Sequence, residues 1–124
     1  MSIATPHAVR HDRLADLASR YVNVDELPWQ PTPYPGVDIK VLMKDDKTGM
    51  FTALTRFAPG SVLPDHLHTE LEQSWVLEGS LEDDEGVCHT GQYVWRPGGS
   101  RHEARAPQGA LVLSFFLKPN HFYK

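Results

Sequence analysis

Three histidines and one glutamate fall at spacings that suit a transition-metal site: His66, His68, Glu72 and His102. In an extended chain, residues two apart share a face, so His66 and His68 project together. Glu72 joins them once the chain bends into the next strand. Two imidazoles and a carboxylate form the ligand set of a non-haem iron site with open positions. A second segment, Gly91 to His102, ends in another histidine after the tight turn Pro97–Gly98–Gly99. If that strand crosses the same cavity, His102 becomes a fourth ligand. A lone histidine is more often a surface residue or a hydrogen-bonded core residue than a ligand. Here the pair comes with a glutamate four positions on, a glycine at each end and a second Gly–Pro–Gly–His unit.

The elements that must position these residues are short strands. Runs over 37–43, 50–57, 74–81, 92–95, 101–106 and 110–117 are separated by turn signals such as Asp45–Gly49, Pro59–Gly60, Asp83–Gly86 and Pro107–Gly109. Many short strands without intervening helices point to a β-sandwich or barrel and exclude a doubly wound α/β fold. Residues 1–36 read differently. Leu14, Leu17 and Ala18 form a weak apolar stripe that predicts one short helix over 12–21. Four prolines in the nine positions from Pro28 to Gly36 then require an extended arm. Trp29 and Tyr34 favour docking of that arm over a free linker, because large aromatics are costly to leave in water. The expected organisation is one domain overall, with a helix and proline-rich arm over 1–36 and a β-barrel over 37–124.

The two histidine-bearing segments together resemble the cupin signature. Gly60, His66, His68, Glu72 and Gly79 match the form G-x5-H-x-H-x3-E-x6-G, and Gly91, Pro97, Gly99 and His102 match G-x5-P-x-G-x2-H. The family form continues with an asparagine where this chain has Ala106. That asparagine is not a metal ligand in the family pattern, so the departure concerns the cavity wall rather than the metal. The resemblance spans about Val37 to Leu117. It implies an all-β double-stranded β-helix, a jelly-roll barrel of two antiparallel sheets, with a divalent metal held by His66, His68, Glu72 and His102. Leu27–Pro28–Trp29, Pro35–Gly36–Val37, Asp46–Gly49 and Arg56–Gly60 resemble the small cupins related to ChrR-type anti-sigma factors. Dioxygenases that cleave acetylacetone or dihydroxyacetophenone are built on similar single-domain cupins. The resemblance thus implies an iron(II) dioxygenase-type oxidoreductase acting on a small diketone, hydroxyketone or aromatic compound, with Glu72 as a ligand that also serves as a base. It equally reaches a non-catalytic ligand- or stress-sensing module, and a metal-assisted isomerase or lyase. Iron(II) is favoured, although the same ligands suit zinc, nickel or manganese.

Composition narrows the remaining classes. The chain has 124 residues, enough for a single core, with 40% hydrophobic and 23% charged residues. A net charge of −4 argues against a nucleic-acid surface. With no apolar stretch long enough to span a bilayer and no apolar core behind a basic start, the expectation is a cytoplasmic protein without a membrane partner. The single cysteine, Cys88, leaves no internal disulfide and no cysteine-rich zinc domain, and reads as a small hydrophobe in a strand. His102, Ala104 and Ala106 should share the inner face of one strand, with Arg101, Glu103 and Arg105 outside. Trp75, Trp95, Phe57, Phe115 and Phe116 are expected in the core, and Arg56 and Arg96 in solvent. The acidic run Glu82–Glu85 reads as a solvated hairpin turn, Gln73 and Ser74 could either orient Glu72 or face water, and His7, His11, His89 and His121 receive no role. Exposed sheet edges, with the arm as their cover, predict a homodimer.

Overall fold

The computed structural model describes residues 2–123. Eleven antiparallel strands follow one another: β1 (Ile3–Ala4), β2 (Gln30–Pro31), β3 (Val37–Asp45), β4 (Phe51–Phe57), β5 (Ser61–Leu67), β6 (Glu72–Glu82), β7 (Val87–His89), β8 (Tyr93–Arg96), β9 (Arg101–Ala106), β10 (Ala110–Phe116) and β11 (His121–Phe122). Side by side, they run β1-β3-β4-β10-β6-β9-β5-β11, with β2 beside β3 and with β7 and β8 beside β6. The six strands expected from the sequence each appear to within two residues. The sheet curls because β6 serves both of its halves. The first half of β6 pairs with β8 and β10, and its far end pairs with β7 and β9. No described helix is long and apolar enough to cross a membrane.

One motif glycine, Gly79, is required by a close approach. Gly79 sits within β6 at φ 72°, and a Cβ there would lie 2.0 Å from the Gly109 carbonyl oxygen. Only glycine lets the β9–β10 turn come this near to β6. Inside the curl, Val37, Phe57, Val76, Leu81, Cys88, Ala104, Ala106, Ala110 and Val112 form the apolar core. Cys88 thus sits in a strand as a small buried hydrophobe, and burial raises the pKa of its thiol.

The expected helix over 12–21 is not formed. A single 3-10 turn over His11–Arg13 stands there, ended by Leu14 in an extended conformation. Leu17 and Tyr21 are almost wholly exposed, so the apolar stripe has nothing to bury against. A segment this short does not hold a helix without tertiary packing. The segment before this 3-10 turn and the arm after it both dock on their own chain. Ile3–Ala4 pairs with Lys44 and Asp45, and Gln30–Pro31 with Asp38 and Ile39. Trp29 is covered by the Arg56 guanidinium at 4.2 Å and the Lys40 ammonium at 4.7 Å from its ring centre. Lys40 also donates to the Val24 carbonyl at 2.8 Å, which ties the arm to β3.

Two aromatic assignments need correcting. Trp75 and Trp95 lie outside the core, 52% and 58% exposed, next to the exposed Tyr93. On β6 the buried positions on either side belong to Ser74 and Val76, which leaves Trp75 outside, and on β8 the inward positions belong to Val94 and Arg96, which leaves Trp95 outside.

Candidate metal centre

Among the strands not expected from the sequence, β5 carries His66 and leads directly into His68. Pro64 obscures its strand signal, having no N–H for a ladder. It lies where the β5–β9 register shifts, between the pairs Leu63↔Ala104 and His66↔His102. That irregularity turns His66 inward opposite His102. His68 follows just past the strand end, where the Pro97–Ser100 turn grips its backbone. The His68 N–H donates to the Ser100 carbonyl at 2.8 Å, and the Gly99 N–H donates to the His68 carbonyl at 2.7 Å.

The structure brings His66, His68 and His102 together, with potential ligand atoms all within 4.8 Å of one another. Ring centres are 4.6–5.0 Å apart. His66 and His68 are 1% and 0% exposed and rank among the largest fully buried side chains of the protein. Two imidazoles at the most buried positions of a small barrel demand a polar reason.

Hydrogen bonds determine the tautomer of each ring. His66 Nδ1 lies 2.7 Å from the Pro64 carbonyl, which can only accept. His68 Nδ1 faces the Ser100 carbonyl at 3.0 Å and the Ser100 hydroxyl at 2.9 Å, and that hydroxyl already donates to the Pro97 carbonyl. His102 Nδ1 lies 2.6 Å from Asp83 Oδ2. All three rings therefore donate from Nδ1, which leaves the Nε2 lone pairs free. His68 Nε2 is buried without a hydrogen-bond partner. Anchored Nδ1 atoms and free Nε2 atoms are the arrangement that metal-binding imidazoles require, so the residues present fit a divalent transition metal.

Electrostatics act in the same direction. Burial holds all three imidazoles below their usual pKa, and for His102 the pKa falls to about 4 despite its bond to Asp83. Neutral rings are the ligating form. Burial alone would raise the pKa of Asp83, but His102, the Glu85 and Gly86 N–H groups and Arg96 outweigh it and keep the carboxyl low.

Glu72 opens β6 at the cavity, its Oε1 3.5 Å from His68 Nε2. Both its oxygens are held: Ser74 Oγ donates to Oε2 at 3.0 Å and Asn120 Nδ2 to Oε1 at 3.1 Å. Ser74 is buried and shares a 2.7 Å hydrogen bond with Ser114, while Gln73 faces outward and accepts from the Tyr93 hydroxyl. Strand parity thus separates the two residues that the sequence left open. His66, Glu72 and His102 border a cavity of about 50 Å³ whose remaining wall includes Leu63, Val94 and Phe116. Ala104 lines it too, whereas Ala106 is packed in the core opposite Ser61.

Sequence reasoning missed Asp83 and Arg96. Asp84 and Glu85 are solvated as expected, but Asp83 turns inward with its side chain 3% exposed. Arg96, expected in solvent, is 12% exposed at the side chain and donates to Asp83 Oδ2 at 2.9 Å. Both corrections have one origin. On β8, Val94 and Arg96 point inward and Tyr93 and Trp95 outward, the reverse of what hydrophobicity alone orders. A buried carboxylate claims the arginine and decides the parity. The sequence did hold a cue, since an acidic turn just ahead of an arginine-bearing strand allows such a pair. Arg56 does face outward, bonded to Asp38 at 3.0 Å.

A curled antiparallel barrel with imidazoles converging at one end defines a cupin. A family model described as the ChrR cupin-like domain matches residues 17–121, and the chain belongs to that family. No sequence among the curated proteins matches it. Solved structures similar to it include a proposed acetylacetone dioxygenase from Methylibium petroleiphilum PM1, with TM-score 0.81, 22% identity and coverage of 90% of this chain and 85% of that one. An acetylacetone dioxygenase from Acinetobacter johnsonii superposes with TM-score 0.79 at 20% identity, covering 90% and 82% of the two chains. The anti-sigma ChrR of Rhodobacter sphaeroides, solved in complex with SigE, gives TM-score 0.66 at 21% identity, over 75% of this chain and 51% of ChrR. At such identities the likeness speaks for the fold, and the chemistry must be argued from the site.

Proposed function

We propose that this cupin is a metal-dependent dioxygenase acting on a small diketone or hydroxyketone. His66, His68 and His102 hold the metal, with Glu72 as fourth ligand and base. The observation that carries the proposal is the set of three Nδ1-anchored imidazoles whose potential ligand atoms lie within 4.8 Å of one another, with His66 and His102 bordering a small cavity. A divalent transition metal supplies Lewis acidity toward a carbonyl oxygen and, as iron(II), reactivity toward dioxygen. Iron(II) is the favoured ion, and zinc, nickel and manganese suit the same donors. The chain's own residues do the rest. Glu72, fixed by Ser74 and Asn120, takes the proton from the carbon or oxygen acid of the substrate. Ser114 backs Ser74 and holds the carboxylate in place. Apolar walls keep bulk water from the reacting atoms. A cavity of about 50 Å³ favours compounds of few atoms.

Oxygen uptake by iron-loaded protein tests the proposal with a panel of small diketones and hydroxyketones. Consumption is expected with at least one compound and should be lost in both His102→Ala and Glu72→Gln. Tight binding without oxygen consumption would instead support a ligand-sensing module, a reading favoured by the family match and by the likeness to ChrR. We also propose that the protein is a homodimer. The exposed Trp75, Tyr93 and Trp95 supply an apolar surface for a second copy, and light scattering at micromolar concentration checks it.

A further inference from the structure

Asn120 reaches the cavity from the segment between β10 and β11. That segment is pinned by the pairs His121↔Leu67 and Phe122↔His66, and by the Tyr123 N–H donating to the Asp65 carbonyl at 3.0 Å. The amide's orientation is dictated by Glu72. Its Nδ2 must face the carboxylate oxygen 3.1 Å away, because an amide oxygen there would be repelled. Asn120 Oδ1 is therefore the free end of the group. It is shielded from solvent and has no hydrogen-bond partner. Buried acceptors in folded proteins are almost always satisfied, so a donor is missing from this one. The neighbouring hydroxyls do not supply it, since Ser74 and Ser114 are engaged with Glu72 and each other. Thr55 and Arg96 also line the cavity, yet neither hydrogen-bonds Oδ1, and Arg96 is engaged with Asp83; Val112 and Phe116 offer no donor.

We infer that Asn120 is a substrate-binding residue whose Oδ1 accepts a hydrogen bond from a ligand hydroxyl, so that the site prefers small α-hydroxyketones to β-diketones. The enolate of a β-diketone presents only acceptors and leaves Oδ1 unpaired, whereas an α-hydroxyketone or its enediol carries the O–H that this amide lacks. Discrimination on a buried hydrogen bond is steeper than discrimination on a methylene, because the mismatched ligand strands a polar atom. The inference rests on the metal-dependent reading above and selects the substrate class within it.

Cobalt(II)-loaded protein, titrated with hydroxyacetone, its methyl ether methoxyacetone and acetylacetone, provides the test through the cobalt absorption spectrum. Wild-type protein should bind hydroxyacetone at least about 10-fold more tightly than either other compound. Asn120→Leu and Asn120→Ala should bring the hydroxyacetone-to-methoxyacetone ratio to within about 2-fold of unity. Weaker support of Glu72 in these variants lowers all three affinities together and leaves the ratio as the readout. An unchanged ratio in both variants overturns the inference while the metal-dependent reading stands, as does tighter wild-type binding of acetylacetone than of hydroxyacetone. Protein that takes up cobalt but binds none of the three compounds overturns both.

Discussion

Two aspartate–arginine pairs border the histidine cluster from opposite environments. Asp65 and Arg101 immediately precede His66 and His102 on β5 and β9, and the guanidinium contacts both carboxylate oxygens at 2.9 Å. Their side chains are 41% and 52% exposed, with Arg101 stacked 3.8 Å from the Tyr123 ring centre. Asp83 and Arg96 form the other pair at 2.9 Å, with side chains 3% and 12% exposed. The outer pair has the better geometry, yet water screens it and an exposed pair adds little. The inner pair has lost its water, and each member depends on the other and on His102. Proximity to the site is shared by both pairs; what separates them is what remains when one partner is removed.

The largest effect expected falls on the histidines themselves. His66→Ala or His68→Ala should abolish metal retention after dialysis, measured as metal content per chain, with circular dichroism confirming the fold. Removal of the inner carboxylate comes next. Asp83→Ala frees the His102 ring and leaves the Arg96 charge buried. Metal affinity should fall by roughly 10–100-fold in chelator competition. Unfolding in urea should show a loss of about 3–5 kcal/mol.

A pH dependence comes third. His102 titrates near about 4 in the folded chain because burial disfavours its charge, against about 6.5 unfolded. As pH falls through 6.5, the unfolded chain takes up a proton that the folded chain refuses, so stability drops. The loss continues until the folded ring protonates near about 4 and levels off below that. His66 and His68 act in the same direction. Urea midpoints of metal-free protein between pH 7 and pH 4 should fall accordingly, by at most about 1.4 kcal/mol per pH unit for each ring.

The smallest effect belongs to the outer pair. Asp65→Asn should move Tm by no more than about 2 °C and leave metal content unchanged. If Asp65→Asn releases metal as strongly as Asp83→Ala, burial is not what distinguishes the two pairs.

The strands of the barrel were legible because β-branched and aromatic runs alternate with Gly, Pro and Asp turns, and turn chemistry is local. The His66–His68 pair was legible for a similar reason, since residues two apart share a face whatever the register. The helix over 12–21 was misread because a weak apolar stripe says nothing about whether a surface exists to receive it, and Leu17 ends in solvent. β5 was hidden by Pro64, which is tolerated only because the ladder is irregular there.

By itself the sequence determined the class of fold, the short spacings within His66, His68 and Glu72, and the turns between most of the strands. These follow from backbone geometry over a few residues. Tertiary structure alone decided that Asp83 leaves an acidic turn to hold His102, that Arg96 rather than Trp95 points inward from β8, and that Asn120 closes on Glu72 from the far end of the chain. Each is a long-range pairing of polar groups. In a buried place the cost of leaving a charge or an amide unpaired exceeds the gain from burying one more aromatic ring, so the partner across the barrel chooses which side chain faces in.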